Sequence, residues 1–519
     1  MLRFLSIEDI STLDIAISER CFRKVFLECL LTENLSFRVD AEYFDKCNEY
    51  SILPWIIKRK INLKTLTISN LESGELRICD FVAQLGTPAL QTLEEIEVDF
   101  SYEEDGMTDI IEREGVLLRV LPVLMRTATN LKKIDVYGAA PCKTFVPALI
   151  ETSSGNIRSL AMQNIPLLTQ GSLHHIFSKC PKLESFSLRS FYFFHIDSFS
   201  GHSPLLFLKE LVIDEGDEEL EVEDATEDLP VDGKHFSRFQ DHHLIDLASL
   251  APQLESLTLM HCLDLSPVSL IHVSHSCVKL KNIEFACWSR NDRLWMNALE
   301  ALLKHCPELT DVFFCWKSDF NSDEEEHFFG SLIDYGSKLL SLKLTADRLS
   351  KRMIIAIFNG CRSLRSLTLK TETGWVLNHN NLTWDSHEPL ASLDSLCFKD
   401  NNISVDFLLV VLSRCPHITS FAYLSKDGRV EERIIAFLGS KCKSLTHLKI
   451  DAVETLVLAD LENVSRSLES LKSFTISDIS AMRAGSSGEN QVIAVCKQAV
   501  ELNVFRPDQE FEFYSRYLW

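Results

Sequence analysis

Cysteine and histidine gather in one short stretch, at Cys262, His272, His275 and Cys277. Thiolate sulfur and imidazole nitrogen are ligands of tetrahedral zinc, but structural zinc sites use closely spaced ligand pairs, and this spacing fits no such signature. Cys277 also shares its place with Cys180, Cys306, Cys361, Cys415, Cys442 and Cys496, each three residues before an apolar triplet. A small, weakly polar and readily buried side chain suits the end of a packed helix at such a place. The cysteines therefore read as structural thiols, with no metal ligand set and no cofactor. The sequence carries no phosphate-cradling glycine loop, no nucleophile elbow, no paired-histidine metalloprotease motif and no dinucleotide glycine run. No residue takes a catalytic role, and the chain is expected not to be an enzyme.

What positions these thiols is a repeat. Residues 251–262 read Ala-Pro-Gln-Leu-Glu-Ser-Leu-Thr-Leu-Met-His-Cys, and 26 residues on, Cys277, Leu280, Ile283 and Phe285 occupy the equivalent places. The apolar residues fall at i, i+3 and i+5, and the last two alternate as a strand with one buried face requires. Helix-period stretches such as Leu299, Leu302, Leu303 and Cys306 lie between strands. A unit of this kind cannot bury its own apolar face and must stack on neighbours. Triplets begin at Leu63, Leu93, Leu131, Ile157, Leu183, Leu208, Leu254, Leu280, Leu309, Leu339, Leu364, Leu393, Ile418, Leu445, Leu471 and Ala499. Most steps are 25 to 30 residues; the two long ones, 38 and 46, contain polar insertions, which a solenoid carries as loops.

Length and charge narrow the function classes. No Gly/Ser- or Pro-rich linker divides the 519 residues, so one repeat array is expected over 58–505, between a helical segment at 1–57 and an aromatic tail at 506–519. In the first segment Ser6 reads as an N-cap ahead of an apolar face that includes Leu13, Ile17 and Phe22. A formal charge of -23 argues against nucleic acid, because phosphate contacts need clustered Lys and Arg, and it favours neutral or basic partners. Arg3, Glu8 and Asp9 interrupt the opening residues, and no apolar run spans a bilayer, so cytoplasm or nucleus is expected and no membrane partner. In those reducing compartments the 16 cysteines should be free thiols. The insertion at 214–232 has many acids and no Lys or Arg, and should be a loop that does not order itself.

The unit Cys180-Pro181-Lys182-Leu183-Glu184-Ser185-Phe186-Ser187-Leu188 resembles the cysteine-containing leucine-rich repeat of the ribonuclease-inhibitor-like superfamily, especially that of F-box/leucine-rich-repeat proteins. The resemblance implies an α/β solenoid curved like a horseshoe, with a parallel sheet on its concave side and helices on its convex side. The N-terminal run Leu5-Ser6 to Asp9-Ile10 and Leu13 resembles the later part of an F-box. That implies docking on a Skp-type adaptor of a cullin-RING ubiquitin ligase through Leu5, Ile10, Leu13 and Ile17, the chain acting as a monomer within the complex. The family thus implies a substrate-recognition subunit; a stand-alone repeat scaffold or inhibitor is the competing class.

Strand alternation says which residues would meet a partner protein. Residues two, four and six after each triplet start should point out of the concave face. Early repeats place Glu95, Glu97, Asp99, Lys133, Asp135 and Tyr137 there, and later ones Lys343, Lys370, Lys399, His447 and Lys449. Between them the same slots hold Met260, Phe313 and Cys315, apolar residues whose exposure would call for a partner. Adjacent strands lie about 4.8 Å apart, so sixteen would span on the order of 70 Å along the sheet, a length suited to a folded protein or an extended segment.

Overall fold

The computed structural model describes residues 35–39, 63–69, 90–99, 127–138, 155–194, 203–216, 236–286, 295–316, 322–376, 389–400, 403–425, 432–451, 470–477 and 501–505, with isolated positions at 13–26, 59, 198–201 and 468. The chain forms two compact units, Met1–Leu265 and Ser266–Trp519.

In the first unit the strands are β1 (Leu35–Val39), β2 (Leu63–Ser69), β3 (Glu95–Asp99), β4 (Lys133–Tyr137), β5 (Ser159–Thr169), β6 (Ser185–Phe194), β7 (Glu210–Asp214), β8 (Phe236–Ser237) and β9 (Ser256–Met260). Helices α1 (Gln170–Lys179) and α2 (Asp241–Leu250) accompany them. Pairing is parallel from β1 through β7 to β9, and the two-residue β8 runs antiparallel to the end of β6.

The second unit holds β10 (Asn282–Ala286), β11 (Asp311–Trp316), β12 (Ser341–Ser350), β13 (Ser366–Val376), β14 (Ser395–Asp400), β15 (Ser420–Ser425), β16 (His447–Asp451), β17 (Ser473–Ser477) and β18 (Glu501–Phe505), all paired in parallel. Its helices are α3 (Pro267–Ser276), α4 (Trp295–His305), α5 (Ser322–Tyr335), α6 (Lys351–Gly360), α7 (Val405–Ser413) and α8 (Glu432–Lys441). Each unit is therefore an α/β leucine-rich-repeat solenoid.

Every triplet leads into a strand, and after the first the strand begins two residues past the triplet start. The reason lies in the backbone. Lys132 and Lys133 both donate N–H to the carbonyl of Glu94, at 2.8 and 3.0 Å, and Leu340 and Ser341 do the same to Thr310. One carbonyl thus serves two amides of the next repeat, which fixes the register and leaves no freedom to slip. Leu254, Leu257 and Leu259 are buried, as are their counterparts in repeat after repeat. Each such side chain contributes about 1.5–3 kcal/mol before chain entropy is counted. Aromatic rings tie the helices to this layer: Phe177 of α1 packs edge-on to Phe186 of β6 at 5.3 Å, and Trp295 of α4 lies 4.5 Å from Phe285 of β10.

The cysteine slot is a turn. Cys277 caps α3, donating its N–H to Val273, while its carbonyl accepts the N–H of Leu280 at 3.1 Å. Cys180, Cys306, Cys361, Cys415 and Cys442 repeat the second bond to the first residue of their own triplets, and all are buried. Ala128, Leu205, Ala251 and Gly336 fill the same place elsewhere. Cys262, two residues past the end of β9, sits 3.3 Å from the Met260 carbonyl and 3.8 Å from that of Ile213. Among the described residues no group of His, Cys, Asp or Glu is arranged to hold a metal. His275 lies tilted against His305, 4.2 Å between ring centres.

One sequence expectation needs correction. The segment 1–57, read as helical, contains β1, which adds a parallel strand beside β2. Leu13 and residues 22 and 24–26 are helical, whereas Leu5, Ile10 and Ser6 lie outside the described residues. So do most of the 214–232 insertion, the 506–519 tail and Cys496.

Burial raises the thiols of Cys180, Cys277, Cys361 and Cys415 to about 12 and those of Cys306 and Cys442 to about 11. The thiolate is the reactive form, so these six should be alkylated by iodoacetamide only on unfolding, which peptide mapping with and without denaturant will show. A Cβ at Gly360 would stand 2.1 Å from the Leu332 carbonyl oxygen. Gly360→Ala should therefore cost about 1–3 kcal/mol in denaturant unfolding, as overpacking does.

Candidate interaction face

Because one carbonyl holds two amides in most of the described repeats, the side chains two, four and six past the triplet start fall into rows across each sheet. In the first unit the rows run Thr65, Glu95, Lys133, Ser159, then Thr67, Glu97, Asp135, Ala161, Ser187, and Asp99, Tyr137, Gln163, Arg189, Asp214, Met260. The residues between these slots, such as Ile96, Val98, Ile134 and Val136, are buried. The strict alternation read from the sequence holds at β3, while at β4, β7 and β9 the row residues Asp135, Val212 and Met260 are buried as well; the rows form the face opposite the apolar layer.

The first unit's face is acidic at β3 and β4. Thr65 and Thr67 donate their hydroxyls to Glu95 and Glu97, at 3.4 and 3.1 Å, and Lys133 pairs with Asp135 at 2.7 Å. Burial tends to lower the Lys133 ammonium, but Asp135 and Glu95 outweigh it and the net shift is upward. Burial raises the Tyr137 hydroxyl, and Asp135 and Glu97 add to that, so the phenol stays neutral.

In the second unit the middle row reads Glu284, Phe313, Lys343, Thr368, Cys397, Ala422, Lys449. The Lys343 ammonium lies over the Phe313 ring, 4.1 Å from its centre, a cation–π contact. Burial lowers Lys343, Glu284 opposes that shift, and nearby Lys370 reinforces it. Lys370 and Lys399 are register partners on β13 and β14, so two like charges stand side by side. The first row holds four serines on successive strands, Ser341, Ser366, Ser395 and Ser420, and then His447.

Met260 and Phe313 are the correction here. Their slots point to the face, but they are only 5% and 6% exposed, and Cys315 is buried with them. Lys343 covers Phe313, and the chain turns directly after Met260 through His261, whose φ is 56°. The slots of Asp214, Arg189 and Glu284 obey the same spacing rule, and carrying it through every repeat finds them.

At the C-terminal end of β7, Asp214 lies 2.8 Å from His261 and accepts the Gly216 N–H at 3.1 Å. Glu215 accepts the Phe239 N–H at 2.5 Å, and its other oxygen is buried without a hydrogen-bond partner.

No family model matches the chain, and no curated protein matches it. Many solved chains resemble it, and two illustrate the low identity. One is a complex of Rad7 and Elc1 from yeast, with 14% identity over 93% of this chain and 97% of that one and a TM-score of 0.33. The other is the leucine-rich-repeat-containing protein LegL7 from Legionella pneumophila, with 10% identity over 79% and 97% and a TM-score of 0.29.

Glu215 supplies a pH test. Burial raises its carboxyl to about 7, against the pull of the Phe239 N–H and Arg238 and with a push from Asp264. Its folded value exceeds the unfolded one of 4.5, so its favourable contribution is full at acid pH and is lost as pH rises through about 7. Glu215→Gln, neutral throughout, should lose less thermal stability than the parent between about pH 5 and pH 8, measured by melting at both values.

Proposed function

We propose that this chain is a non-catalytic recognition protein that holds a partner protein on the open faces of its repeat sheets, as the substrate-recognition subunit of a cullin-RING ubiquitin ligase. The observation that carries the recognition reading is the second unit's face, where Lys343 over Phe313 and the adjoining Lys370 and Lys399 set cations beside a buried aromatic ring. Fold stability alone does not call for lysines side by side on neighbouring strands. An acidic segment of a partner relieves their repulsion and is steered by it.

The adaptor role rests on the N-terminal resemblance and on exposed apolar side chains in that region. Leu13 is 38% exposed, Phe22 66% and Val25 59%, while Phe26 is buried. Exposed apolar residues grouped on helical turns suit docking on a partner. Ile17 donates its N–H to the Leu13 carbonyl, so Leu13 and Ile17 stand one turn apart. The protein would work in the cytoplasm or nucleus.

Affinity capture with mass spectrometry tests both parts. Lys370→Glu and Lys399→Glu should each weaken the captured partner about tenfold at low salt and less at high salt, with unchanged melting. Phe22→Asp with Val25→Asp should release a Skp-type adaptor and leave the partner bound. If no adaptor is captured by the parent, the chain is a stand-alone scaffold.

A further inference from the structure

The first unit turns its chain left-handed at one place in repeat after repeat. Seven residues past the triplet start, Gly138, Asn164, Ser190 and His261 all have positive φ, between 47° and 95°. The repeat of β7 departs from this: Glu215 occupies the place, and the left-handed residue is Gly216, one position later, at φ 83°. A Cβ at Gly216 would stand 3.0 Å from Ser190 Oγ, so the delayed turn needs glycine. The Glu215 N–H still bonds to the Met260 carbonyl at 3.2 Å, as the Gly138 N–H bonds to that of Gln163 at 2.9 Å. One residue of delay thus sets a carboxyl group where the neighbouring repeats only turn.

That carboxyl joins three segments. Its Oε1 accepts the Phe239 N–H at 2.5 Å, and the Leu263 N–H is a second donor to it. Phe239 belongs to the strap 236–240, which opens with β8 against Phe193 and Phe194 of β6 and leads into α2. The strap has another anchor that carries no charge: the Phe239 ring is fully buried, 5.6 Å from the His243 ring, and His243 Nδ1 accepts the Gln240 N–H at 3.0 Å. Glu215 Oε2, by contrast, is buried with no hydrogen-bond partner. A neutral carboxyl tolerates such burial far better than a carboxylate does.

Burial pushes the Glu215 carboxyl up to about 7, against the two N–H donors and Arg238 of the strap, and Asp264 after β9 adds to the push. Asp214, the residue before it, is held by His261 at 2.8 Å and is in register with Arg189 of β6. On α2 the titratable groups nearest the strap in sequence are Asp241, His242 and the buried His243.

We propose that Glu215 is a proton-operated latch: protonated, it holds the strap 236–240 against the ends of β6, β7 and β9, and ionised, it lets the strap loosen while the repeat strands stay paired. The latch is independent of the partner reading above. The latched form keeps the proton up to about pH 7, and the loosened form, with Glu215 in water, only up to about 4.5. Loosening therefore grows between those values and levels off above them.

Hydrogen exchange of the full chain, read by mass spectrometry from pH 4.5 to pH 8 and corrected for intrinsic exchange rates, tests the latch. Peptides spanning 236–240 and 261–265 should lose about tenfold or more of their protection between pH 5 and pH 7 and change little from there to pH 8, while β4, β5 and β9 keep theirs. Glu215→Gln, neutral throughout, should hold its protection across the range. Asp264→Asn should move the transition to lower pH and Arg238→Gln to higher pH; both leave Glu215 in place and decide the matter if Glu215→Gln fails to fold. A transition that persists in Glu215→Gln, one that neither neighbouring variant moves, a flat profile in the parent, or a loss shared equally by β4, β5 and β9 would each overturn the latch.

Discussion

The shared backbone carbonyl is the constraint on which the rest depends. In repeat after repeat the residue after the triplet start, Glu94 or Thr310 for example, accepts two amides from the following repeat, whereas Lys64 of the first accepts the Glu94 amide. This leaves one register for each new strand, and a slip of one residue would turn the buried leucines to water. The turn before it, where the slot carbonyl accepts the first triplet amide, leads the chain into the strand through the same hydrogen bond in repeat after repeat. Local hydrogen bonds therefore set long-range order, and the rows of face side chains follow from it.

That geometry explains why so much was legible in the sequence. All sixteen triplets lie at strands, because the pattern records which residues the shared carbonyl turns inward. The missed strand shows the limit. β1 aligns Leu35 with the triplet start Leu63, Phe37 with Leu66 and Val39 with Ile68, and a register shift after Leu35 brings its apolar residues to i, i+2 and i+4, outside the i, i+3, i+5 pattern. Face membership was legible for the same reason as strand membership. Depth was not: whether Phe313 is exposed depends on where the Lys343 side chain lies, one strand and 30 residues away. Nor does spacing show that one oxygen of Asp135 is bonded and the other is not.

The two faces use charge differently. At β3 and β4 carboxylates accept from neighbouring threonines and a lysine, so much of their demand is met within the sheet. In the second unit burial works against the Lys343 ammonium, and the aromatic ring beneath it and Glu284 work for it. At the edges of the first sheet, Lys64, Glu94 and Lys132 alternate in sign, as do Arg158, Glu184 and Lys209. Such exposed pairs contribute little each, and their value lies in avoiding the like-charge neighbours that the faces retain.

Gly336 takes the cysteine slot in its repeat, and a Cβ there would come within 2.8 Å of the Cys361 sulfur. At this step the slot of one repeat is sized by the slot of the next, whereas at 277 and 306, and again at 415 and 442, successive slots both hold cysteine. The repeat that carries Gly336 is therefore not an interchangeable brick: a copy of a cysteine-bearing neighbour put in its place would press a side chain on Cys361, so the position of this repeat is written into its interior as well as into its surface.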